Sequence, residues 1–260
     1  MKPLVLVRFL VRQYPVPLLL AAGGLLLLGV VWYVRKPANP MNWQLAQGYG
    51  IRFPMRYSVH GLDVSRHNNR IDWSRVAAMN NGNVTMQFAF MKATEGATLS
   101  DPTFAQNWKE ARRVGLRRGA YHFYHPTRDP LRQAANFIRR VTLQPGDFAP
   151  VLDFEVTNNV PDAKIVADLR LFLAALEDHY HLKPIIYTNP NLYKRFIQPN
   201  FEQYPLWIAD YSKRNLDRYD PDRLYLWQHN KSGWVQGISG LVDLNTFVMD
   251  TDRINDLCLD

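Results

Sequence analysis

The sequence predicts an α/β barrel of eight strands and about five helices, preceded by one transmembrane helix. Three patterns lead there: eight short apolar runs, amphipathic stretches between the earlier runs, and one long charge-free run near the N-terminus. The short runs lie at 60–65, 88–94, 119–124, 149–156, 183–189, 205–211, 224–229 and 241–247. They are rich in β-branched and aromatic residues and bounded by turn formers, which marks strands. Strand–helix alternation implies a parallel sheet, and eight strands suggest closure into a barrel.

The helices announce themselves by caps and period. Asp101-Pro102 and Asp129-Pro130 each set a capping side chain before a first-turn proline. After the first, Phe104, Trp108 and Ala111 share a face, and Gly115 can end the helix. Ile165, Leu169, Phe172 and Leu176 repeat at helical spacing within 161–180. Beyond 190 the helical signal fades. The pattern is five strand–helix units, then three strands with little helix between them.

From Val16 to Val34 no charge interrupts the chain. A helix of that length spans roughly 28 Å, the thickness of a bilayer core. Trp32 and Tyr33 suit an interface, and the following Val-Arg-Lys is a poor cleavage site, so an uncleaved anchor is expected rather than a signal peptide. Lys2, Arg8 and Arg12 with the amino terminus, against Arg35 and Lys36, favour the N-terminus inside. The expected organisation is a cytoplasmic segment 1–15, a membrane helix 16–34, a tether or edge-packing extension 35–58, the barrel 59–255 and a tail 256–260. The barrel then faces the periplasm or cell wall.

Charge narrows the function. Of the net +8, five charges flank the membrane run, which leaves about +3 and little support for nucleic acid binding. The pairs Arg112-Arg113, Arg117-Arg118 and Arg139-Arg140 read as a solvated helix face or as attraction to an anionic polymer. Cys258 is the single cysteine, so no intrachain disulfide exists, and its polar tail makes it a poor nucleophile. No GxSxG, P-loop or GxGxxG occurs.

Four acids stand inside otherwise apolar strands: Asp63, Asp153, Glu155 and Asp243. A carboxylate is costly to bury unless it is paired or wet, and barrel active sites lie at strand ends. Asp153 and Glu155, two apart on one strand, face the same way roughly 6.5–7 Å apart, while Phe154 faces the helix layer. Two acids in one pocket repel, so one holds its proton to higher pH, as a general acid requires. Tyr121, His122, Tyr187, Asn189, Trp207, Asp210 and Gln228 also fall at strand ends. Their aromatic, amide and carboxylate groups suit a sugar with hydroxyl and acetamido substituents. His122 and His125 lack a third metal ligand at a telling spacing, so no metal or cofactor is expected.

The segments GLDVSRHNNRIDW, FMKATEGATLSDPTFAQNWKEARRVG, RGAYHFYHP, QAANFI, PVLDFE, IIYTN, LWIADY, LWQH and VDLNTF resemble, in order, glycoside hydrolase family 25, the Chalaropsis-type lysozymes. The resemblance implies a modified TIM-like (β/α)-barrel that hydrolyses the β-1,4 bond between N-acetylmuramic acid and N-acetylglucosamine. Carried over by position, Glu155 matches the catalytic acid, Asp153 its partner, and Asp63 and Asp243 complete the acidic cluster. Tyr121, Tyr187 and Trp207 match aromatic positions of the cleft. Two second steps stay open. A carboxylate activates water or attacks directly, or the substrate's acetamide attacks while Asp153 orients it. Two other classes stay open, a phage-type lytic enzyme with a releasable anchor and a non-catalytic glycan-binding module. The expected partners are a peptidoglycan strand and a membrane, with the chain a monomer.

Overall fold

A computed structural model describes residues 20, 23–26 and 41–260, apart from 83, 213 and 214. Most of the expected membrane run lies outside the described residues. Residues 20 and 23–26 are helical, and among the described residues no helix is long and apolar enough to cross a membrane.

The strands are β1 (Trp43–Ala46), β2 (Ile51–Pro54), β3 (His60–Val64), β4 (Asn80–Asn81), β5 (Val84–Glu95), β6 (Leu99–Ser100), β7 (Arg117–Phe123), β8 (Val151–Phe154), β9 (Ile185–Thr188), β10 (Leu206–Ala209), β11 (Leu224–Gly233) and β12 (Val242–Phe247). Eight of them form a closed barrel in the order β3-β12-β11-β10-β9-β8-β7-β5, with β5 returning to β3. Seven barrel strands run parallel, and β12 alone runs antiparallel to both neighbours, β11 and β3. The alternation at the start of the chain implied a parallel sheet, and the last strand departs from it. No helix separates β11 from β12, so the chain turns straight back at the mouth.

Five helices clothe the outside: α1 (Trp73–Ala78), α2 (Phe104–Arg113), α3 (Pro130–Ile138), α4 (Asp162–Tyr180) and the single turn α5 (Pro190–Leu192), which runs on as a π-turn, Tyr193–Ile197. Asp129 caps α3, its side chain accepting from Arg132 N with Pro130 in the first turn. Asp101 behaves otherwise. Helix α2 begins only at Phe104, and Asp101 instead accepts from Thr103 N, Thr103 Oγ1 and Arg66 N, tying two mouth loops together. Gly115 sits just past α2 at φ +82°, a conformation that favours glycine.

Strand parity sorts the core in two. Leu152 and Phe154 of β8 join the layer between barrel and helices, while Val151 joins the barrel interior. Phe88, Phe90 and Phe148 fill that interior, the last two stacked at 4.9 Å. A Cβ on Gly61 would meet the Phe88 ring at 2.3 Å, and one on Gly119 the Phe90 ring at 2.2 Å. The barrel is a packed solid below its mouth.

Residues 41–58 pack on the outer wall where helices are lacking. Strands β1 and β2 pair as a hairpin, and Phe53 and Trp43 set their rings edge-on to His60, His229 and Trp227. The C-terminal residues close the floor: Ala149 N donates to Leu257 O and Gly146 N to Leu259 O. The arginine cluster is only partly a solvated face. Arg118 is buried, bonds both oxygens of Asp147 at 2.7 and 3.0 Å and lies 4.0 Å over the Trp108 ring, whereas Arg139 and Arg140 are exposed.

Candidate active site

At the mouth the inward-facing residues change from apolar to acidic. A cleft of about 230 Å³ is lined by Asp63, Asp153, Glu155 and Asp243, with Tyr121, Phe123, Tyr187 and Trp207 as aromatic walls and Lys92, Ser65 and His67 completing it. All four acids singled out from the sequence meet here, although they come from β3, β8 and β12. Asp63 and Asp243 stand directly opposite each other across the β3–β12 pair. A hollow of about 590 Å³ between Trp73 and Trp234 is larger, but its Glu110 is bonded to Arg113 and its Asp72 caps α1. No free acid pair remains there.

The acids differ in their surroundings. Asp63 Oδ2 accepts from Gln228 Nε2 at 2.8 Å and Asn245 Nδ2 at 2.7 Å. Asn245 Oδ1 in turn accepts from Trp207 Nε1 at 2.9 Å, and Gln228 Oε1 accepts from the hydroxyls of Tyr187 and Tyr211. The carboxylate is thus aimed by a network in which each amide spends both ends. Burial, then Asp243, still pushes the Asp63 carboxyl well above the usual range. Asp153 is 5% exposed, and its Oδ1 is buried with no hydrogen-bond partner among the described residues. Burial first, and the neighbouring Glu155 second, hold its carboxyl well above the usual range. Asp243 is pushed up to about 6 by burial and then by Glu155. Glu155, one position past the end of β8, is exposed to the mouth. Asp153 is the buried member of this pair, its carboxyl pushed up, and Glu155 is the member open to a ligand.

Tyr121 and Tyr187 keep their protons. Burial and the nearby carboxylates push both hydroxyls well above their usual range, so both remain donors.

Gln228 lies behind the cleft, bonded to Asp63. Three residues expected at the cleft are elsewhere. His122 has the opposite parity to Tyr121, so its ring enters the helix layer between Thr94 Oγ1, Gln133 Oε1 and the Phe172 ring. Asn189 is an N-cap whose Oδ1 accepts from Asn191 N and Leu192 N. Asp210 folds the loop after β10, bonded to Tyr219 Oη, Ser212 N and Arg218. Lys92, Phe123, Asn245 and Tyr211 were missed. Lys92 carries the same signal as the acids, a charge inside the apolar run FAFMKAT; its Nζ pairs with Glu95 Oε2 and lies 4.7 Å over the Phe123 ring.

Acids beside aromatic walls suit protonation of a leaving oxygen on a sugar ring, the chemistry of a glycosidase. Comparison with known proteins leads to the same class. The model of glycosyl hydrolases family 25 matches residues 62–238, and the chain belongs to this family. It is 41% identical to the Escherichia coli K12 protein YegX over 206 residues, covering 79% of this chain and 75% of that one. It is 31% identical to the autolytic lysozyme of Clostridium acetobutylicum over 192 residues, covering 73% of this chain and 56% of the lysozyme. Among solved structures, a family 25 glycosyl hydrolase from Bacillus anthracis is similar with a TM-score of 0.70 and 29% identity, covering 78% of this chain and 95% of that one. The protein is a lysozyme-type glycoside hydrolase.

Proposed function

We propose that the chain hydrolyses the β-1,4 bond between N-acetylmuramic acid and N-acetylglucosamine in peptidoglycan, with Glu155 as general acid and Asp153 as the group that orients the substrate's acetamide. The observation that carries this reading is the asymmetry of the β8 pair. Asp153 is buried with one oxygen unbonded among the described residues, and Glu155 is open to the mouth. An acetamide N–H offered to Asp153 favours its carboxylate form, so Asp153 gives up its proton. Glu155, on the same face, takes that proton and delivers it to the glycosidic oxygen as the bond breaks. With the acetamide N–H held by Asp153, the acetamide oxygen closes on the anomeric carbon; water then opens that ring, returning a proton to Glu155. Asp243, ionised above about pH 6, adds negative potential beneath the developing cation, and Asp63 stands opposite it.

The test is product analysis. The full chain acting on peptidoglycan should release new reducing ends on muramic acid; new ends on glucosamine would contradict the assigned bond. Glu155→Gln keeps the shape but loses the proton, and turnover should fall by about 10²–10⁴-fold with the fold intact.

We further propose that residues 16–34 hold the chain as a monomer in a bacterial cytoplasmic membrane with the barrel outside. The charge-free run between Arg12 and Arg35 supports this, as does a substrate that lies outside the membrane.

A further inference from the structure

Helix α3 carries two buried amides that the cleft does not use. Gln133 Oε1 accepts from His125 N, and its Nε2 donates to His125 O and Arg128 O at 3.1 and 3.2 Å. Asn136 Nδ2 donates to Gly96 O and Leu99 O at 3.1 and 3.0 Å. Each amide pins one loop, the β7–α3 loop and the β5–β6 turn. Between those loops lies a hollow of about 630 Å³, within the roughly 300–1,000 Å³ of ligand-sized pockets. Fixed walls of this kind lower the cost of binding.

The hollow shares a wall with the catalytic cleft. Lys92 lines the cleft and Glu95 lines the hollow, and the two are bonded to each other. Glu95 takes Lys92 on Oε2, and on Oε1 it accepts from His125 Nε2 at 3.1 Å. The second acid of the hollow, Asp129, keeps its charge but turns its Oδ1 to the N-terminus of α3, accepting from Arg132 N. Glu95 is matched by Lys92, which leaves Asp129 alone against two arginines. Arg128 and Arg132 also line the hollow, both are exposed, and neither guanidinium makes a hydrogen bond or ion pair among the described residues. The balance of charge in the hollow is positive, and beside it Leu99 stands 57% exposed.

We propose that this hollow receives the acidic peptide that peptidoglycan carries on the lactyl ether of muramic acid. Arg128 and Arg132 pair with its free carboxylates, and Leu99 meets its methyl side chains. The proposal rests on the reading of the cleft as a peptidoglycan glycosidase. It adds that the enzyme reads the peptide as well as the sugar.

The test compares three strands: one bearing peptides with free carboxylates, one with those carboxylates amidated, and one with the peptides removed. The wild-type full chain should favour the first in kcat/KM by about tenfold, the scale of one charge-assisted hydrogen-bonded pair. In the Arg128→Gln/Arg132→Gln variant the three values should converge, mainly through KM. Equal wild-type values, or a preference that survives in the double variant, would overturn the proposal. Binding to the Glu155→Gln chain separates this failure from that of the cleft. If that chain still prefers free-carboxylate strands, the hollow stands even where bond cleavage is not as assigned. If it binds all three alike, the peptide site falls alone.

Discussion

Asp153 and Glu155 are two positions apart, yet one is buried and one open, because β8 ends at Phe154 and the chain opens to the mouth just beyond it. That division of labour gives the acetamide step its own test. Replacing the N-acetyl group of the scissile sugar by a free amine removes the attacking oxygen, while an ammonium can still pair with Asp153. Single-turnover cleavage should collapse while binding persists, and Asp153→Asn should lose rate on acetylated strands; equal rates on acetylated and de-N-acetylated strands would remove the acetamide from the mechanism. Asp243 supplies a pH signature. Its carboxyl lies near 6 in the fold against 3.8 for the free group, so the native state holds the extra proton between those values. The uncharged form is the one the fold favours. Its stabilising effect is therefore complete below about 3.8 and is lost as pH rises through about 6. Asp243→Asn should leave the thermal midpoint unchanged near pH 4 and raise it at pH 8, with each kcal/mol relieved worth roughly 2–4 °C. The acids were legible because a charge in an apolar strand is costly wherever it stands. By the same logic Lys92 was legible too. His122 was misplaced by counting strand-end polar groups without parity, since Tyr121 facing in forces its neighbour out. Asn189-Pro190 carries the same capping signature as Asp129-Pro130, and Asn189 is a cap.

At the level of elements, the eight barrel strands were readable because each is apolar on both faces, one toward the interior and one toward the helices. The hairpin over 43–54 was not readable as strands. Its two strands are four residues each, and β1 buries only Ala46, so no local period marks it. Of its partners, His60 follows shortly after it, but His229 and Trp227 lie far along the chain and are set by closure of the barrel. This gives the hairpin a structural duty that a tether lacks. Phe53 is fully buried between Tyr49, His60 and His229. Phe53→Ala should cost about 3–5 kcal/mol in chemical denaturation, as for a core phenylalanine. A change within ±0.5 kcal/mol, typical of an exposed site, would show that the hairpin is only laid against the wall.

For the whole molecule, the barrel separates its ends. Met41 lies beside Tyr57 and Val248, at the floor ends of β3 and β12, and the C-terminal residues bond to 146–149 beneath the Phe88–Phe90–Phe148 plug. Both ends of residues 41–260 therefore lie at the floor of the barrel, away from the mouth. A reporter fused after Asp260 should be active only if it works outside the cytoplasm; activity of a reporter confined to the cytoplasm would sink the proposed location. The reversal of β12 has another consequence. Because β11 rises and β12 descends, 234–241 is a hairpin at the rim, and it brings Asp243 to the mouth at the start of its strand rather than at its end. At other rim positions of the parallel strands a segment must travel back to the floor, so its length is tied to the layer it crosses. Here nothing has to return. Gly237, at φ +93°, is wedged against Asp72 O, but Gly240 has open space around it and Leu241 is 62% exposed. Chain can be gained or lost at 239–240, ahead of the Leu241 carbonyl that Asn68 holds, without repacking a helix, so this corner of the barrel can change its reach along a polymer while the fold beneath stays constant.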